Sequence, residues 1–112
     1  MNKRIVKQAK AYKVEIFIAG DIEQITDICQ QYCDKVGLCV TVTKTNYVFT
    51  RGSEAGAVIG LINYARFPKE PEDIWDTASL LAVHLKIKTD QGSYTIQDHE
   101  RSVFVSTRDE DQ

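Results

Sequence analysis

The alternation of apolar and polar residues predicts strands near both ends of the chain. From Tyr12 to Ala19 the apolar positions alternate with Lys13 and Glu15, which predicts a first strand that ends at Gly20. Two further strands are predicted over residues 93–97 and 102–106, on either side of a tight turn. Each of these strands is therefore expected to place one face against a core.

Two segments with helical periodicity separate the predicted strands. The first follows Asp21, which suits an N-cap with Gln24 in a capping-box arrangement, and it ends before Gly37. Its apolar stripe comprises Ile22, Ile25, Ile28, Cys29, Tyr32, Cys33 and Val36. The second begins at Pro71, and its buried stripe is predicted to comprise Ile74, Ala78, Leu81, Ala82 and Leu85.

The longest β-type stretch, from Gly37 to Phe67, predicts a long two-stranded hairpin. Its first arm is expected over residues 38–51, with a kink where Lys-Thr-Asn at 44–46 interrupts the apolar pattern. The turn is placed at residues 52–56, Gly-Ser-Glu-Ala-Gly, because glycine accepts positive φ, and the second arm at 57–64.

The second arm of the hairpin is apolar on both of its faces. Ala57, Ile59 and Leu61 share one face, whereas Val58 and Ile62 share the other. Two helices can cover only one face of a small sheet, so a second chain is expected on the other face. This pattern predicts an oligomer.

The order of elements predicts an α+β fold. It indicates a ferredoxin-like βαββαβ two-layer sandwich with a long central hairpin and a short extra C-terminal strand. We divide the chain into a basic N-terminal arm over residues 1–11, a single domain over 12–107 and a disordered polar tail over 108–112.

Composition places the chain among ordinary globular domains. It has 112 residues, 43% hydrophobic and 27% charged, and a net charge of −2, which makes nucleic acid an improbable partner. No apolar run approaches the roughly 20 residues that a membrane-spanning helix needs. We therefore expect a cytoplasmic protein without a membrane partner.

The hairpin residues resemble two known families. The run Cys39-Val40-Thr41-Val42, followed after a polar interval by Tyr47-Val48-Phe49, is similar to the central hairpin of CutA proteins. The wider PII-like group shares the two-helix plan and a short final strand. Both families are usually trimers, so the resemblance implies a homotrimer here. Residues 60–68, Gly-Leu-Ile-Asn-Tyr-Ala-Arg-Phe-Pro, resemble small phage and prophage proteins.

The segment from Arg51 to Gly56 is the first candidate binding site. Its glycines permit a nest of backbone amides, Ser53 can donate a hydrogen bond, and Arg51 can pair with phosphate. An ordinary hairpin turn is the alternative. The candidate residues here are Arg51, Gly52, Ser53 and Gly56.

The connector after the hairpin is the second candidate site. Tyr64 and Arg66 combine an aromatic ring with a cation where the strand leaves the sheet, and such a pair can grip an anion or stack on a base. The alternative is a connector whose Tyr64 and Phe67 close the edge of the core.

The cysteines and histidines point to no metal and to no cofactor. Cys29 and Cys33 lie four residues apart on one helix face but inside its apolar stripe, where free cysteine acts as a small hydrophobic residue. His84 and His99 lack a nearby nucleophile or metal-ligand spacing.

We therefore expect no enzymatic activity from the sequence. The first hypothesis is an oligomeric module that binds or sequesters a small anionic, nucleotide-like ligand at subunit boundaries. The second is a protein-interaction module or an inhibitor of a host enzyme, of the kind that phages make. The third, implied by the CutA resemblance, is the handling of divalent metal ions.

Overall fold

A five-stranded antiparallel sheet carries both helices on one face. The computed structural model describes residues 3–112. Its strands are β1 (Lys13–Ala19), β2 (Thr41–Phe49), β3 (Gly52–Ile62), β4 (Ser93–Gln97) and β5 (Ser102–Ser106), and its helices are α1 (Ile22–Val36) and α2 (Pro71–Lys88). The strand order is β2-β3-β1-β4-β5. The first four strands thus have the ferredoxin-like order and β5 extends the sheet, which confirms the predicted fold class.

The core lies between the sheet and the helices. Alternate residues of β1 and β3 point into it, and Ile16 lies opposite Ile59 in the register of these two strands. Both side chains are fully buried. The core also contains Tyr12, Val14, Ile18, Ile25, Cys29, Ala57, Leu61, Ile74, Trp75, Ala78, Leu81, Ala82, Leu85, Tyr94 and Ile96.

The ends of α1 follow the signals in the sequence. The Asp21 carboxylate accepts a hydrogen bond from the backbone N–H of Gln24 at 3.4 Å, which satisfies one of the free donors of the first turn. Gly37 ends the helix in the left-handed region, at φ 71°, and its N–H donates to the carbonyl oxygen of Cys33. The predicted bounds of α1 are therefore confirmed.

The hairpin turn is not where the sequence predicted it. Thr50 and Arg51 make the turn, with Arg51 at φ 66°, and β3 begins at Gly52. The expected turn at residues 52–56 is wrong, because those residues are paired with β2 along their length. Gly56 serves a different purpose: a Cβ atom there would lie 2.6 Å from Cε2 of Tyr47. The glycine permits the close approach of an aromatic ring.

The kink predicted in the first arm is also absent. Residues 44–46 continue β2 and pair in register with residues 55–57 of β3. Their polar side chains are tolerated because this part of the hairpin lies at the edge of the sheet, where one side of β2 has no neighbouring strand within residues 3–112.

The segments outside the sandwich are short. In the N-terminal arm, residues 3–10 form neither helix nor strand, and Met1 and Asn2 of the predicted arm lie outside the described residues. The carboxyl end contains a 3-10 helix over Asp109–Asp111. Among residues 3–112, no helix is both long enough and apolar enough to cross a membrane.

The two faces of β3 predict different outcomes for the same substitution. Ile59→Asp should abolish cooperative folding, because it buries an unpaired charge at a side chain that is 0% exposed. Ile62→Asp is the matched control, because Ile62 lies on the opposite face and is 45% exposed. Circular dichroism and urea denaturation measure the difference, and equal stability of the two variants would contradict the assigned register.

Candidate active site on the uncovered face of the sheet

The face of the sheet opposite the helices is left uncovered by residues 3–112. It carries apolar side chains in its centre and at its edge, with Ile62 45% and Phe104 58% exposed. Phe17 and Val58, which pair across β1 and β3, are half-buried there. Two hollows open onto this face, one on each side of Phe17.

The first hollow, called the basal groove below, has a volume of about 680 Å³. Phe17 and Ile62 give it an apolar wall, and Lys13, Glu15 and Gln97 give it polar groups. Glu15 lies on β1 opposite Gln97 of β4, and its carboxylate lies 3.6 Å from the ammonium of Lys13. The groove therefore combines an apolar surface with a carboxylate that is accessible from solvent.

A polar cluster closes one end of the basal groove. Asp98 is at its centre: one carboxylate oxygen accepts from the backbone N–H groups of Glu100 and Arg101, both at 2.8 Å. The other oxygen accepts from the Tyr12 hydroxyl, also at 2.8 Å. These bonds join the turn between β4 and β5 to the start of β1.

Arg101 extends the polar cluster to α2. Its guanidinium lies 3.7 Å from the centroid of the Trp75 ring and donates to the Glu72 carboxylate at 3.0 Å. It also lies 3.5 Å from Asp98. A guanidinium between two carboxylates and an aromatic face is held in one orientation, so the end of the groove is well defined.

The environment shifts the acidity of the two central groups. Burial, together with the hydrogen bond to the Asp98 carboxylate, raises the pKa of Tyr12 to about 12. Burial opposes ionisation of Asp98, but the hydrogen bonds from Glu100, Tyr12 and Arg101 outweigh it and lower its pKa to about 2. The cluster therefore holds an ionised Asp98 beside a neutral Tyr12 near neutral pH.

The second hollow, called the aromatic hollow below, has a volume of about 240 Å³ and lies near the turn of the hairpin. Five aromatic residues line it, from β1, β2, β4 and β5: Phe17, Tyr47, Phe49, Tyr94 and Phe104. Glu54, Gln91 and Arg108 add polar groups to its rim. The Tyr47 hydroxyl donates to the carbonyl oxygen of Ala57 at 2.6 Å, which fixes that ring. The guanidinium of Arg108 donates to the Ser93 hydroxyl at 2.8 Å.

The structure separates the predicted site residues. Gly52, Ser53 and Gly56 lie within β3, so the nest of backbone amides predicted for them does not form. Arg51 is exposed in the turn itself. Whether Arg51 binds a ligand stays a prediction, without the loop that was expected to support it.

Tyr64 and Arg66 lie beyond the other end of β3. Tyr64 lines a cavity of about 290 Å³ between the end of α1 and the start of α2, where its hydroxyl accepts a hydrogen bond from the Cys39 thiol at 3.4 Å. Arg66 is exposed and lies 5.1 Å from the centroid of the Phe67 ring. The 11 residues of β3 separate these side chains from Arg51. A single small ligand cannot contact both groups within one chain, because such a strand is about 35 Å long.

The three cysteines are free thiols. Cys29 is buried in the core, and burial raises the pKa of its thiol to about 11. Cys33 is half-buried and Cys39 is exposed. Within residues 3–112, no group of three or more His, Cys, Asp or Glu side chains is placed to hold a metal ion.

Known structures resemble this chain over nearly its whole length. No protein-family model matches it and no curated protein matches it. A phage SAM lyase in the apo state matches with a TM-score of 0.68 and 14% sequence identity, covering 94% of this chain and 98% of the other. A phage SAM lyase in complex with S-methyl-5'-thioadenosine matches with a TM-score of 0.62 and 11% identity, covering 95% and 97%. The likeness shows a shared fold.

These matches correct the function expected from the sequence. Both matched structures are of an enzyme, which contradicts the expectation of a non-enzymatic binding module and that of no enzymatic activity. Neither the protein-interaction alternative nor CutA-like metal handling is supported by them. The resemblance to CutA and PII-like proteins is not confirmed, whereas the resemblance to phage proteins agrees with the origin of both matched structures.

The sequence did not indicate the polar cluster. Asp98 and Arg101 belong to a segment that has the composition of an ordinary tight turn, and Tyr12 precedes Asp98 by 86 residues. The sequence offered two weak signals for the cluster. Asp98 stands three residues before Arg101, and Trp75 lies in an amphipathic helix. Neither feature indicates which residues meet across the fold.

The hydrogen bonds of Asp98 predict an acid-sensitive fold. Asp98→Asn should lower the free energy of unfolding by about 2 kcal/mol at pH 7, because it removes charge-assisted bonds. The pKa of Asp98 falls from 3.8 to about 2 on folding, so its contribution is complete above about pH 5 and is lost as the pH falls towards 2. Urea denaturation at several pH values measures this, and Asp109→Asn in the exposed tail is the control. Parallel pH profiles of Asp98→Asn and the parent would contradict the assignment.

Proposed function

We propose that this chain is an enzyme that cleaves S-adenosylmethionine (SAM) and releases S-methyl-5'-thioadenosine. The observation that carries the proposal is the likeness in fold to a phage SAM lyase over nearly the full length of both chains. The uncovered face supports it, because it offers a groove with apolar walls, an accessible carboxylate and aromatic rings. The cytoplasmic location expected from the sequence is part of the proposal.

The balance of atoms defines the reaction. Releasing S-methyl-5'-thioadenosine from SAM breaks the bond between the sulfonium sulfur and the γ carbon of the methionine part. In the simplest route the substrate's own carboxylate oxygen attacks that carbon, and the sulfur leaves with the electron pair of the broken bond. The products are the neutral thioether and homoserine lactone with its ammonium group. No water, base or redox partner is consumed.

This route determines what the protein must contribute. A carboxylate and a sulfonium approach each other and lose their charges in the transition state, so removing water from around them favours the reaction. The protein must also hold the flexible chain in the cyclic geometry, since orientation of reacting groups supplies much of the acceleration. A site with apolar walls and few, fixed polar groups meets both needs.

The basal groove has the features that this step requires. Phe17 and Ile62 exclude water from one side, and the face of Phe17 can stabilise the sulfonium as a cation–π partner. Glu15 is placed to bind the α-ammonium of the substrate, which keeps the substrate's carboxylate free to react. The polar cluster around Asp98 fixes the end of the groove and takes no part in bond breaking.

Self-association is a further part of the proposal. The exposed apolar side chains on the uncovered face, among them Ile62, favour contact with a second copy of the chain that borders the two hollows and leaves them open to a ligand, and we propose a homotrimer. Light scattering of the purified protein gives its molar mass. Ile62→Asp should shift that mass towards the monomer, and a monomeric parent at micromolar concentration would contradict self-association.

The direct test is conversion of SAM by the purified protein. Liquid chromatography with mass spectrometry should detect S-methyl-5'-thioadenosine and homoserine lactone at a rate well above that of the protein-free control, in which SAM decays slowly. Reaction in ¹⁸O-labelled water distinguishes a lyase from a hydrolase, because the lactone first formed by a lyase contains no oxygen from water. No product above the control would refute the proposal.

Glu15 should be needed for efficient cleavage. Glu15→Gln removes a charge-assisted hydrogen bond to the substrate and should lower kcat/KM by about 10- to 100-fold. Glu23→Gln is the matched control, because Glu23 is exposed in the first turn of α1, away from both hollows. Both variants should retain the stability of the parent. Equal activity of Glu15→Gln and Glu23→Gln would show that the basal groove does not bind the amino-acid part.

A further inference from the structure

We propose that the aromatic hollow binds the adenine ring of the substrate and selects it against other purines. This inference rests on the proposed function and names the part of the uncovered face that recognises the nucleoside. The basal groove would then hold the amino-acid part, with Phe17 between the two ends of the substrate.

The size of the hollow fits a part of the substrate. Its volume of about 240 Å³ is below the roughly 300–1,000 Å³ that is usual for pockets which hold a whole drug-sized ligand. A flat purine ring needs less room than the complete nucleoside with its amino-acid chain. The adjacent groove provides the remaining space, and both hollows include Phe17 in their walls.

The side chains of the hollow match a neutral aromatic ring. Phe49 and Phe104 are 52% and 58% exposed, so their ring surfaces are available for a ligand to stack on. Tyr47 is fixed by its hydrogen bond to Ala57, which gives the hollow a rigid wall. Stacking of bases on aromatic side chains stabilises complexes without regard to the identity of the base, so selectivity requires polar groups.

Gln91 is the residue that we assign to adenine selectivity. A carboxamide can donate to N7 of adenine and accept from its N6 amino group, which is the pairing that proteins use for adenine elsewhere, whereas N7 and O6 of the inosine ring are both acceptors. Gln91 lies on the rim of the hollow just before β4. Its side-chain amide nitrogen is near Gly20, where an added Cβ would approach it to 3.7 Å.

Glu54 is assigned to the ribose. It lies opposite Tyr47 in the register of β2 and β3, on the face that carries the hollow. Carboxylates bind ribose hydroxyls in many nucleotide sites, because two adjacent hydroxyl donors match two carboxylate oxygens.

The experiment compares nucleosides rather than turnover alone. Calorimetry measures binding of S-methyl-5'-thioadenosine, and of its inosine counterpart, in which an oxygen replaces the amino group. Phe104→Ala should weaken binding of both by about 5- to 150-fold, as expected for the loss of one stacking partner. Phe67→Ala is the matched control, because Phe67 is 65% exposed and lies outside the hollow. Gln91→Leu should weaken binding of the adenine compound but not that of the inosine compound.

The outcomes separate this inference from the proposed function. Cleavage of SAM with unchanged KM and unchanged nucleoside affinity in Phe104→Ala would overturn the aromatic hollow as the adenine site and leave the activity in place. Nucleoside binding that depends on Phe104 and Gln91, without cleavage of SAM, would refute the activity and support the site. A parent protein that binds neither nucleoside would overturn the inference.

Discussion

The pairing of β3 between β2 and β1 is the interaction on which the rest of the structure depends. β3 forms backbone hydrogen bonds with β2 along the whole hairpin and with β1 along its second half. It therefore holds β2 and β1 in register. A central strand needs small residues where side chains of the neighbouring strand approach its backbone closely. At Gly56 the Tyr47 ring lies across the strand, and at Gly60 an added Cβ would lie 2.6 Å from the Thr41 hydroxyl oxygen.

The two faces of the sheet differ in burial because of that pairing. The alternation along β1 sends Val14, Ile16 and Ile18 into the core and leaves Glu15 and Phe17 on the other side. Two helices supply one layer, so the second face keeps its side chains available for a ligand or for another copy of the chain. The hydrophobic core thus lies on one face of the sheet, and the candidate site lies on the other.

The polar cluster links stability to the proposed site. Asp98 and Arg101 connect the turn between β4 and β5 to Tyr12 before β1 and to α2, which are three separate parts of the chain. Its polar groups form hydrogen bonds and ion pairs with one another. The cluster is therefore better suited to fixing the shape of the groove than to reacting. Binding of the substrate is assigned instead to accessible groups with few partners, of which Glu15 is the clearest example.

The sequence by itself determined the features that depend on neighbours along the chain. The cap at Asp21, the stop at Gly37 and the alternation in β1 are local, and they were sufficient to predict the order of elements and the fold class. The position of the hairpin turn was not determined, because Gly52 and Gly56 suit a turn as well as a strand in which another ring approaches closely. Only the tertiary structure decided the position of the turn, since it places Gly56 within β3, where the Tyr47 ring of β2 packs against it. It alone also brought Tyr12 to Asp98 and Phe17 to Phe104, because contacts between residues so far apart along the chain depend on how the strands pair rather than on any local pattern.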